Sequence, residues 1–246
     1  MLPLLAPDAA LFLDVDGTLI EFVPRPEEAR VPPALLATID ALRRALGGAL
    51  AVVSGRKLAD IDRLFAPLTL AAGGQHGAEA RLTLDSDAQV FAAHETALAG
   101  VFEHIEPFLT AHPRIHVERK GLSTAFHYRD APADAPALRA ALEQALAPAS
   151  DTLDLLESHL CYDVRARDAD KGKAVARLMA VAPFAGRVPV YVGDDWTDED
   201  GFRAALAGKG RAIRVGAPRS TLATETLGDP AALRDWLARS LKALAR

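Results

Sequence analysis

Two acidic residues stand one position apart at the end of an apolar run in the stretch LFLDVDGTLIEF. Asp14 and Asp16 close the run, and Gly17 and Thr18 follow them directly. Aspartate is disfavoured in strands, and like charges placed side by side repel each other. Packed carboxylates need a cation beside them, or one of them must take up a proton. The groups that meet this pair in the folded chain therefore decide its chemistry.

Three further polar clusters, SGR at 54–56, KG at 171–172 and GDDWTD at 193–198, follow predicted strands or open a predicted helix. In open parallel sheets, ligands bind beyond the carboxyl ends of the strands, where such clusters fall. If all the clusters meet, one site holds several carboxylates, a lysine and a hydroxyl group. A site of oxygen ligands without histidine or cysteine suits Mg²⁺.

A calcium-binding loop is a simpler explanation for the acidic runs, but their spacing excludes an EF-hand. That loop needs glycine at its sixth position and glutamate at its twelfth. Counted from Asp14, glycine arrives fourth and the twelfth residue is Arg25, and the run from Asp194 also fails the count. Taken singly, three features keep a structural explanation: an exposed helix start for 198–200, a cap for Ser54 and a solvated side chain for Lys171.

Alternating apolar strands and amphipathic helices are the elements that must position these clusters. Apolar strands separated by helices indicate a parallel sheet covered on both faces. The C-terminal helix has an apolar stripe that we expect to face the core and not a membrane. Strands are predicted over 10–15, 49–55, 68–74, 188–195 and 211–216, and helices over 31–48, 57–67, 171–183, 198–209 and 231–246.

The middle of the chain has a different pattern, in which polar and apolar residues alternate along short strands. A predicted hairpin over 79–91 is followed by helix, two strands, helix and two strands, which indicates a small antiparallel α+β unit. The fold class is therefore α/β, a doubly wound parallel sheet core with an inserted α+β cap domain. We expect the core at 1–95 and 168–246, the cap at 96–167, and hinges near 80–100 and 165–170. The helices of the unit are predicted over 95–112 and 137–148, and its strands over 114–121, 122–131, 151–159 and 160–168.

The composition excludes several classes of protein. The 246 residues are 50% hydrophobic, with 28 basic and 33 acidic residues and a net charge of −5, so we expect no nucleic-acid partner. No run approaches the roughly 18 apolar residues of a membrane span, and the N-terminus lacks the basic start of a signal peptide. We therefore expect a soluble cytoplasmic protein without a membrane partner. The one cysteine, Cys161, excludes an internal disulfide and is expected to be a part-buried thiol.

The order of the motifs adds a resemblance to known proteins. The segments DVDGT, SGR, KG and GDDWTDE resemble the four motifs of the haloacid dehalogenase phosphohydrolase superfamily. The segments AAGGQHGAE, VERKGLSTAFHYRDAP, DKGKAV and VYVGDDWTDEDGF resemble the trehalose-6-phosphate phosphatase family, from about residue 11 to about residue 216. The resemblance implies a Rossmann-like core with a cap inserted after the third core strand. It also implies Mg²⁺-dependent hydrolysis of trehalose 6-phosphate to trehalose and phosphate through an aspartyl-phosphate.

By this resemblance, Asp14 is the nucleophile and Asp16 is the general acid and then the general base. Residues two apart on an extended strand point the same way, so both carboxylates can reach one phosphoryl group. The resemblance gives Mg²⁺ the ligands Asp14, the backbone carbonyl of Asp16 and Asp194. Asp198, and secondarily Asp195, would form hydrogen bonds with water molecules bound to the metal. The phosphoryl oxygens would be bound by Thr18, Ser54, the Gly55 amide and Lys171.

The cap is expected to select the sugar. The residues expected to bind substrate are Arg56, Gln75, His76, Glu118, Lys120, His127, Arg129 and Asp163. Glu118 and Lys120 also fit a cross-strand ion pair, and His76 also fits a structural hydrogen bond. One departure from the family pattern falls in the last cap strand, where Asp163 replaces the usual glutamate and Ala166 the usual proline.

Because aspartate reaches one methylene less than glutamate, the preferred sugar stays open. Phosphates of sucrose, glucosylglycerol and mannosylglycerate are alternatives to trehalose 6-phosphate. A phosphomutase, which returns the phosphoryl group to a sugar, and a sensor without catalysis are further alternatives. The expected partner is a small disaccharide phosphate, and a monomer is favoured.

Overall fold

The computed structural model describes residues 2–23, 25–158 and 160–245, and in this part of the chain twelve strands form two sheets. The strands are β1 (Ala9–Leu13), β2 (Leu50–Val53), β3 (Ala71–Gly74), β4 (Glu79–Arg81), β5 (Gln89–Val90), β6 (His116–Arg119), β7 (Ser123–His127), β8 (Leu153–Ser158), β9 (Cys161–Ala166), β10 (Val188–Gly193), β11 (Arg211–Val215) and β12 (Glu225–Leu227). The helices are α1 (Pro33–Ala45), α2 (Leu58–Phe65), α3 (Glu95–Ala111), α4 (Ala135–Leu146), α5 (Lys171–Met179), α6 (Glu199–Ala207) and α7 (Pro230–Leu244).

The larger sheet has the strand order β12-β11-β10-β1-β2-β3-β4-β5. Its first six strands are parallel, and β4 and β5 add an antiparallel edge. Strand β1 lies between β10 and β2, with Leu11 opposite both Val190 and Leu50. The carboxyl ends of β1, β2 and β10 therefore meet at one edge of the sheet, where the sequence places its polar clusters.

Helices cover both faces of this sheet, because side chains alternate along each strand. In β1, Leu11 and Leu13 pack into the apolar layer that holds α1, α2 and α7, whereas Phe12 packs with α5 and α6. The predicted α/β doubly wound core is thus confirmed. The apolar stripe of α7 lies in the core, with Trp236 fully buried. No helix of the described residues is both long and apolar enough to cross a bilayer.

The smaller sheet is antiparallel, with the order β6-β7-β9-β8, and is inserted between β5 and α5. Helices α3 and α4 cover one of its faces through a shared apolar cluster. Alternation along β9 turns Tyr162 and Val164 into this cluster and Cys161 and Asp163 away from it, toward the larger sheet. The predicted α+β unit therefore forms, and its open face looks onto the polar edge of the core.

The structure differs from the sequence prediction at the sheet's edge. Strand β12 was not predicted, because its three residues follow a polar, proline-containing segment and are too short to show a period. The strand predicted over 151–159 and the helix predicted over 231–246 each end on a residue that lies outside the described ones. Most other elements begin or end one to three residues inside their predicted bounds.

Candidate active site

A buried lysine joins two of the predicted polar clusters. Lys171, the first residue of α5, donates hydrogen bonds from Nζ to Asp14 Oδ1 at 2.8 Å and to Asp198 Oδ1 at 2.6 Å. Burial alone would lower the pKa of the Lys171 ammonium, but the two carboxylates raise it above its usual range. A permanent positive charge therefore lies beside Asp14, at the end of β1.

Three carboxylates gather around this point. Ligand oxygens of Asp14, Asp194 and Asp198 lie within 4.8 Å of one another. Burial, followed by the neighbouring carboxylates, raises the pKa of Asp194 to about 9. Burial raises that of Asp14 to about 7 although the Lys171 charge opposes the shift. Without a cation, these shifts favour the protonated forms of Asp14 and Asp194. The oxygen ligands of the cluster fit a hard divalent cation such as Mg²⁺, whose charge would favour the ionised forms.

Asp198 is fixed by four donors and so serves to organise the cluster. Its Oδ1 accepts from Lys171 and, at 2.8 Å, from the Tyr191 hydroxyl. Its Oδ2 accepts from the backbone amides of Asp194 and Asp195 at 3.0 and 2.9 Å. The Asp14 carboxylate accepts from Lys171 and that of Asp194 from Thr18, so these two have more oxygen lone pairs to offer a cation than Asp198 has.

The chain reaches this geometry through close backbone packing after β1. Gly17 has φ of +80°, and a Cβ there would overlap the Asp194 carboxylate. The Thr18 hydroxyl donates to Asp194 Oδ1 at 2.8 Å, and Thr18 is fully buried. Thr18 was expected to bind phosphate, but in the structure it orients Asp194 and does not line the cleft.

Ser54 and Gly55 form the wall of the cleft at the end of β2. Ser54 is buried, and its Oγ accepts from the Arg56 amide at 3.2 Å. Arg56 turns back across β1 and binds both carboxylate oxygens of Asp16. Burial opposes a charged guanidinium, but the Asp16 partner raises the pKa of Arg56. The Arg56 side chain, expected to contact substrate, therefore holds the predicted general acid.

The core and the cap enclose a cleft of about 840 Å³, including its open mouth. Asp14 and Lys171 lie at its floor, and cap residues form its roof. The structure brings together twelve of the predicted residues on its lining: Asp14, Asp16, Ser54, Gly55, Arg56, His76, Glu118, Lys120, His127, Arg129, Asp163 and Lys171.

Two ion pairs arrange the polar face of the cap. Lys120 Nζ donates to Asp163 Oδ1 at 3.2 Å, and His127 Nε2 lies 3.1 Å from Glu118 Oε2. Burial alone would raise the pKa of Glu118, but His127 and Lys120 lower it to about 2. Burial alone would also raise the pKa of Asp163, but the charge of Lys120 lowers it below its usual value. Glu118 and Lys120 thus each pair with a residue of another strand, in line with the cross-strand pairing considered from the sequence.

Gln75 lies outside the cleft lining and joins the core to the cap. Its Oε1 accepts from the Leu122 amide at 3.0 Å, and its Nε2 donates to Glu79 Oε1 at 3.0 Å. Arg129 NH1 approaches the Val23 carbonyl at 3.5 Å, a second contact between the two units. Gln75 therefore makes a buried contact between core and cap, and its contact with substrate stays a prediction.

Sequence reasoning missed Ser158 and Cys161, which also line the cleft. Ser158 Oγ donates to Asp195 Oδ2 at 2.5 Å and so joins the cap to the core. Cys161 is buried, and burial raises the pKa of its thiol well above the usual range. Cys161 is two residues before Asp163 on β9, so its side chain points to the same face of the sheet. Ser158 lies opposite Cys161 on β8 and shares that face, so the sequence could have indicated both residues. Phe22, Val23, Asp195 and Thr197 complete the lining.

Comparisons with known proteins agree on one family. A profile described as Trehalose-phosphatase matches residues 12–229. A probable trehalose-phosphate phosphatase from Sinorhizobium fredii is 41% identical over 223 residues, covering 89% of this chain and 81% of that protein. The trehalose-6-phosphate phosphatase of Escherichia coli is 32% identical over 228 residues, covering 93% and 85%. The C-terminal domain of C. albicans trehalose-6-phosphate phosphatase shares the fold, with a TM-score of 0.86 at 19% identity, covering 95% of this chain and 92% of that one.

Proposed function

The chain belongs to the trehalose-phosphatase family, and we propose from this that it hydrolyses trehalose 6-phosphate to trehalose and inorganic phosphate. The family expected from the sequence motifs is thereby confirmed. The observation that carries the proposal is the contact of Lys171 with both Asp14 and Asp198 at the floor of one cleft. It joins three segments that lie far apart in the chain.

In the proposed reaction, Asp14 attacks phosphorus and the bond from phosphorus to the sugar oxygen breaks. Asp16 gives its proton to that oxygen, so trehalose leaves as a neutral alcohol. Asp16 then takes a proton from water, which attacks the aspartyl-phosphate and releases phosphate. Both carboxylates line the same cleft, as this sequence of steps requires.

Charge compensation is the main task of the surrounding residues. Lys171 offsets repulsion between the Asp14 carboxylate and the phosphate, while Ser54 and the Gly55 amide are proposed to bind phosphoryl oxygens. Mg²⁺, when bound by Asp14, the Asp16 carbonyl and Asp194, would supply positive charge at the phosphoryl group. Asp198 would hold Lys171 and the 194–195 backbone in place.

We propose that the cap, residues 96–167, binds the sugar and that the core at 1–95 and 168–246 carries the chemistry. The paired groups Glu118–His127 and Lys120–Asp163 offer donors and acceptors of the kind that bind sugar hydroxyls. Arg129 lines the same cleft. A cytoplasmic location and a monomeric state stay predictions.

Other sugar phosphates remain candidates because Asp163 is shorter than the family's usual glutamate. A panel assay of released phosphate should compare trehalose 6-phosphate with the phosphates of sucrose, glucosylglycerol and mannosylglycerate, each with Mg²⁺ and with a chelator. We expect the highest kcat/KM for trehalose 6-phosphate and loss of activity with the chelator. Equal rates on all substrates would contradict the substrate, and full activity with the chelator would contradict the metal. Conversion of a hexose 1-phosphate to its 6-phosphate without free phosphate would indicate a phosphomutase.

A further inference from the structure

His76 has an unusual backbone conformation beside the phosphate-binding wall. Its φ of 57° and ψ of 26° lie in the left-handed region, which only a few per cent of residues other than glycine adopt. Its amide donates to the Ser54 carbonyl at 3.1 Å, which ties this turn to the end of β2. Strained backbone that the surroundings maintain is common at functional sites. The conformation of this turn therefore marks His76 as a candidate functional residue.

The side chain is buried but lacks protein partners. His76 is 4% exposed and lines the cleft, and a Cβ on Gly55 would lie 2.7 Å from its Cε1 and Nε2 atoms. Among the described residues, neither ring nitrogen has a hydrogen-bond partner. Burying a polar atom without a partner costs free energy, so such atoms are rare unless a ligand or water satisfies them.

Asp163 faces this ring across a gap. Its Oδ1 accepts from Lys120, whereas its Oδ2 lies 3.9 Å from His76 Nε2. That separation is too long for a hydrogen bond. A single oxygen atom placed between the two can lie about 2.8 Å from each of them. We call this space between His76 Nε2 and Asp163 Oδ2 the hydroxyl slot.

We infer that the hydroxyl slot binds one hydroxyl group of the phosphorylated sugar ring, which donates to Asp163 Oδ2 and accepts from His76 Nε2–H. This inference rests on the proposed function and assigns His76 as a residue that determines sugar specificity. The slot lies between Gly55, on the phosphate side, and Lys120, on the sugar side. The inference requires that a hydroxyl on the phosphorylated ring reaches this position while the phosphoryl group contacts Ser54 and Lys171.

The chemistry of the slot distinguishes a hydroxyl from a phosphoryl oxygen. A hydroxyl group both donates and accepts, whereas an ionised phosphate oxygen only accepts and would be repelled by Asp163. Burial lowers the pKa of His76 well below its usual range although Asp163 opposes the shift, and Arg165, Lys120 and Lys171 add to it. A neutral ring with its proton on Nε2 offers one donor, which matches one hydroxyl acceptor.

The consequence is discrimination among phosphate esters. A site with buried polar groups rejects substrates that leave those groups unpaired more strongly than it rejects a small change in size. We therefore expect the slot to favour sugar phosphates over esters without hydroxyl groups. The ester 4-nitrophenyl phosphate is a suitable comparison because it carries the phosphoryl group alone.

The test uses the variant His76→Asn, because asparagine tolerates the left-handed backbone and removes only the ring. We expect kcat/KM on trehalose 6-phosphate to fall about 10- to 100-fold, and the fall on 4-nitrophenyl phosphate to be at least about tenfold smaller. The matched control is His104→Asn, on an exposed face of α3, which should change neither value. Equal losses on both substrates would overturn the inference.

Two further measurements decide whether one hydroxyl bridges both residues. If His76 and Asp163 bind the same group, the double variant His76→Asn with Asp163→Ala loses no more than the worse single variant. Multiplied losses would overturn the bridge. In wild-type protein, ring nitrogen NMR signals of His76 should shift with trehalose and not with inorganic phosphate, and a shift with phosphate alone would also overturn it. A wild-type enzyme that cleaves no sugar phosphate would instead end the proposed function itself.

Discussion

Arg56 holds the carboxylate of Asp16 through two hydrogen bonds, from Nε to Oδ2 at 2.6 Å and from a terminal guanidinium nitrogen to Oδ1 at 2.7 Å. Such a two-pronged contact is strong and fixes the plane of the carboxylate. The Asp16 carboxylate is thereby held in one orientation at the cleft. As the proposed general acid, Asp16 would therefore reach the departing sugar oxygen in the direction that Arg56 sets.

The variant Arg56→Lys tests this relationship, since lysine keeps the charge and loses the fork. We expect kcat/KM on trehalose 6-phosphate to fall about 10- to 100-fold, because the sugar oxygen needs an oriented acid. The loss on 4-nitrophenyl phosphate should be smaller, since its leaving group departs without a proton. Phosphate release from both substrates measures the two effects. Identical losses would show that Arg56 acts on the phosphoryl group alone.

The activated substrate also ranks the catalytic residues. On 4-nitrophenyl phosphate we expect Asp14→Asn and Lys171→Ala to be more damaging than Asp16→Asn. General acid catalysis supplies only about 10²- to 10⁴-fold and matters least for this leaving group. In the proposed mechanism, Asp14 and Lys171 supply the nucleophile and its charge compensation, which every substrate needs. The ordering is wrong if Asp16→Asn has the lowest kcat of the three.

Tyr191 is expected to act through Asp198, to which its hydroxyl donates at 2.8 Å. Tyr191→Phe removes that donor and keeps the buried ring, so we expect a loss of about 1 kcal/mol in the free energy of unfolding. Because Asp198 holds Lys171, kcat should also fall severalfold while KM changes little. Thermal unfolding and phosphate release measure the two effects. An unchanged kcat would leave Tyr191 with a packing role only.

The carboxylate cluster predicts how the metal-free protein responds to pH. The pKa values of Asp14 and Asp194 are raised to about 7 and about 9, whereas an unfolded aspartate titrates near 3.8. Between about pH 4 and pH 9 the folded protein therefore holds more protons than the unfolded chain, so its stability falls as pH rises. The proposed Mg²⁺ site requires the ionised cluster, so the stabilisation by Mg²⁺ should grow with pH.

Melting temperatures measured with a chelator and with millimolar Mg²⁺, at about pH 6 and about pH 9, check this expectation. The chelated protein should melt lower at the higher pH, and the increase with Mg²⁺ should be larger there. A Mg²⁺ effect of the same size at both values would contradict the proposed ionisation of the cluster.

Ser158 provides a contact between cap and core, through its 2.5 Å hydrogen bond to Asp195. Ser158→Ala should weaken the closed cleft, so we expect KM for trehalose 6-phosphate to rise a few-fold with a smaller change in kcat. Ser150→Ala is the matched control, because that exposed cap serine donates a local hydrogen bond to the Ala147 carbonyl. An unchanged KM in the first variant would argue against a role in closure.

Local patterns predicted the elements, whereas the contacts between elements needed the structure. The apolar faces of α1 and α2 were predicted because their buried residues recur at the helical period, as Leu35, Ile39 and Leu42 do. We expected Asp14 and Lys171 to meet because the sequence places Asp14 at the end of a predicted strand and Lys171 at the start of a predicted helix. The cap was expected from the switch to residues that alternate at a period of two.

The pairings within the site could not be predicted in this way. Arg56 reaches Asp16 only because β2 lies beside β1, and Thr18 reaches Asp194 only because β10 lies on the other side. Both contacts join residues far apart in sequence, and no local pattern records which strands are neighbours. The same reason hid which residues of other strands, His127 and Asp163, pair with Glu118 and Lys120.

The large sheet ends on β12 and β5, whose lengths are three and two residues. A strand at a sheet's border offers unpaired amides and carbonyls onto which a second molecule can add. Edge strands this short expose few consecutive amide and carbonyl groups, so another polypeptide can form few backbone hydrogen bonds with them. We therefore expect the protein to resist edge-to-edge aggregation through this sheet, even at high protein concentration.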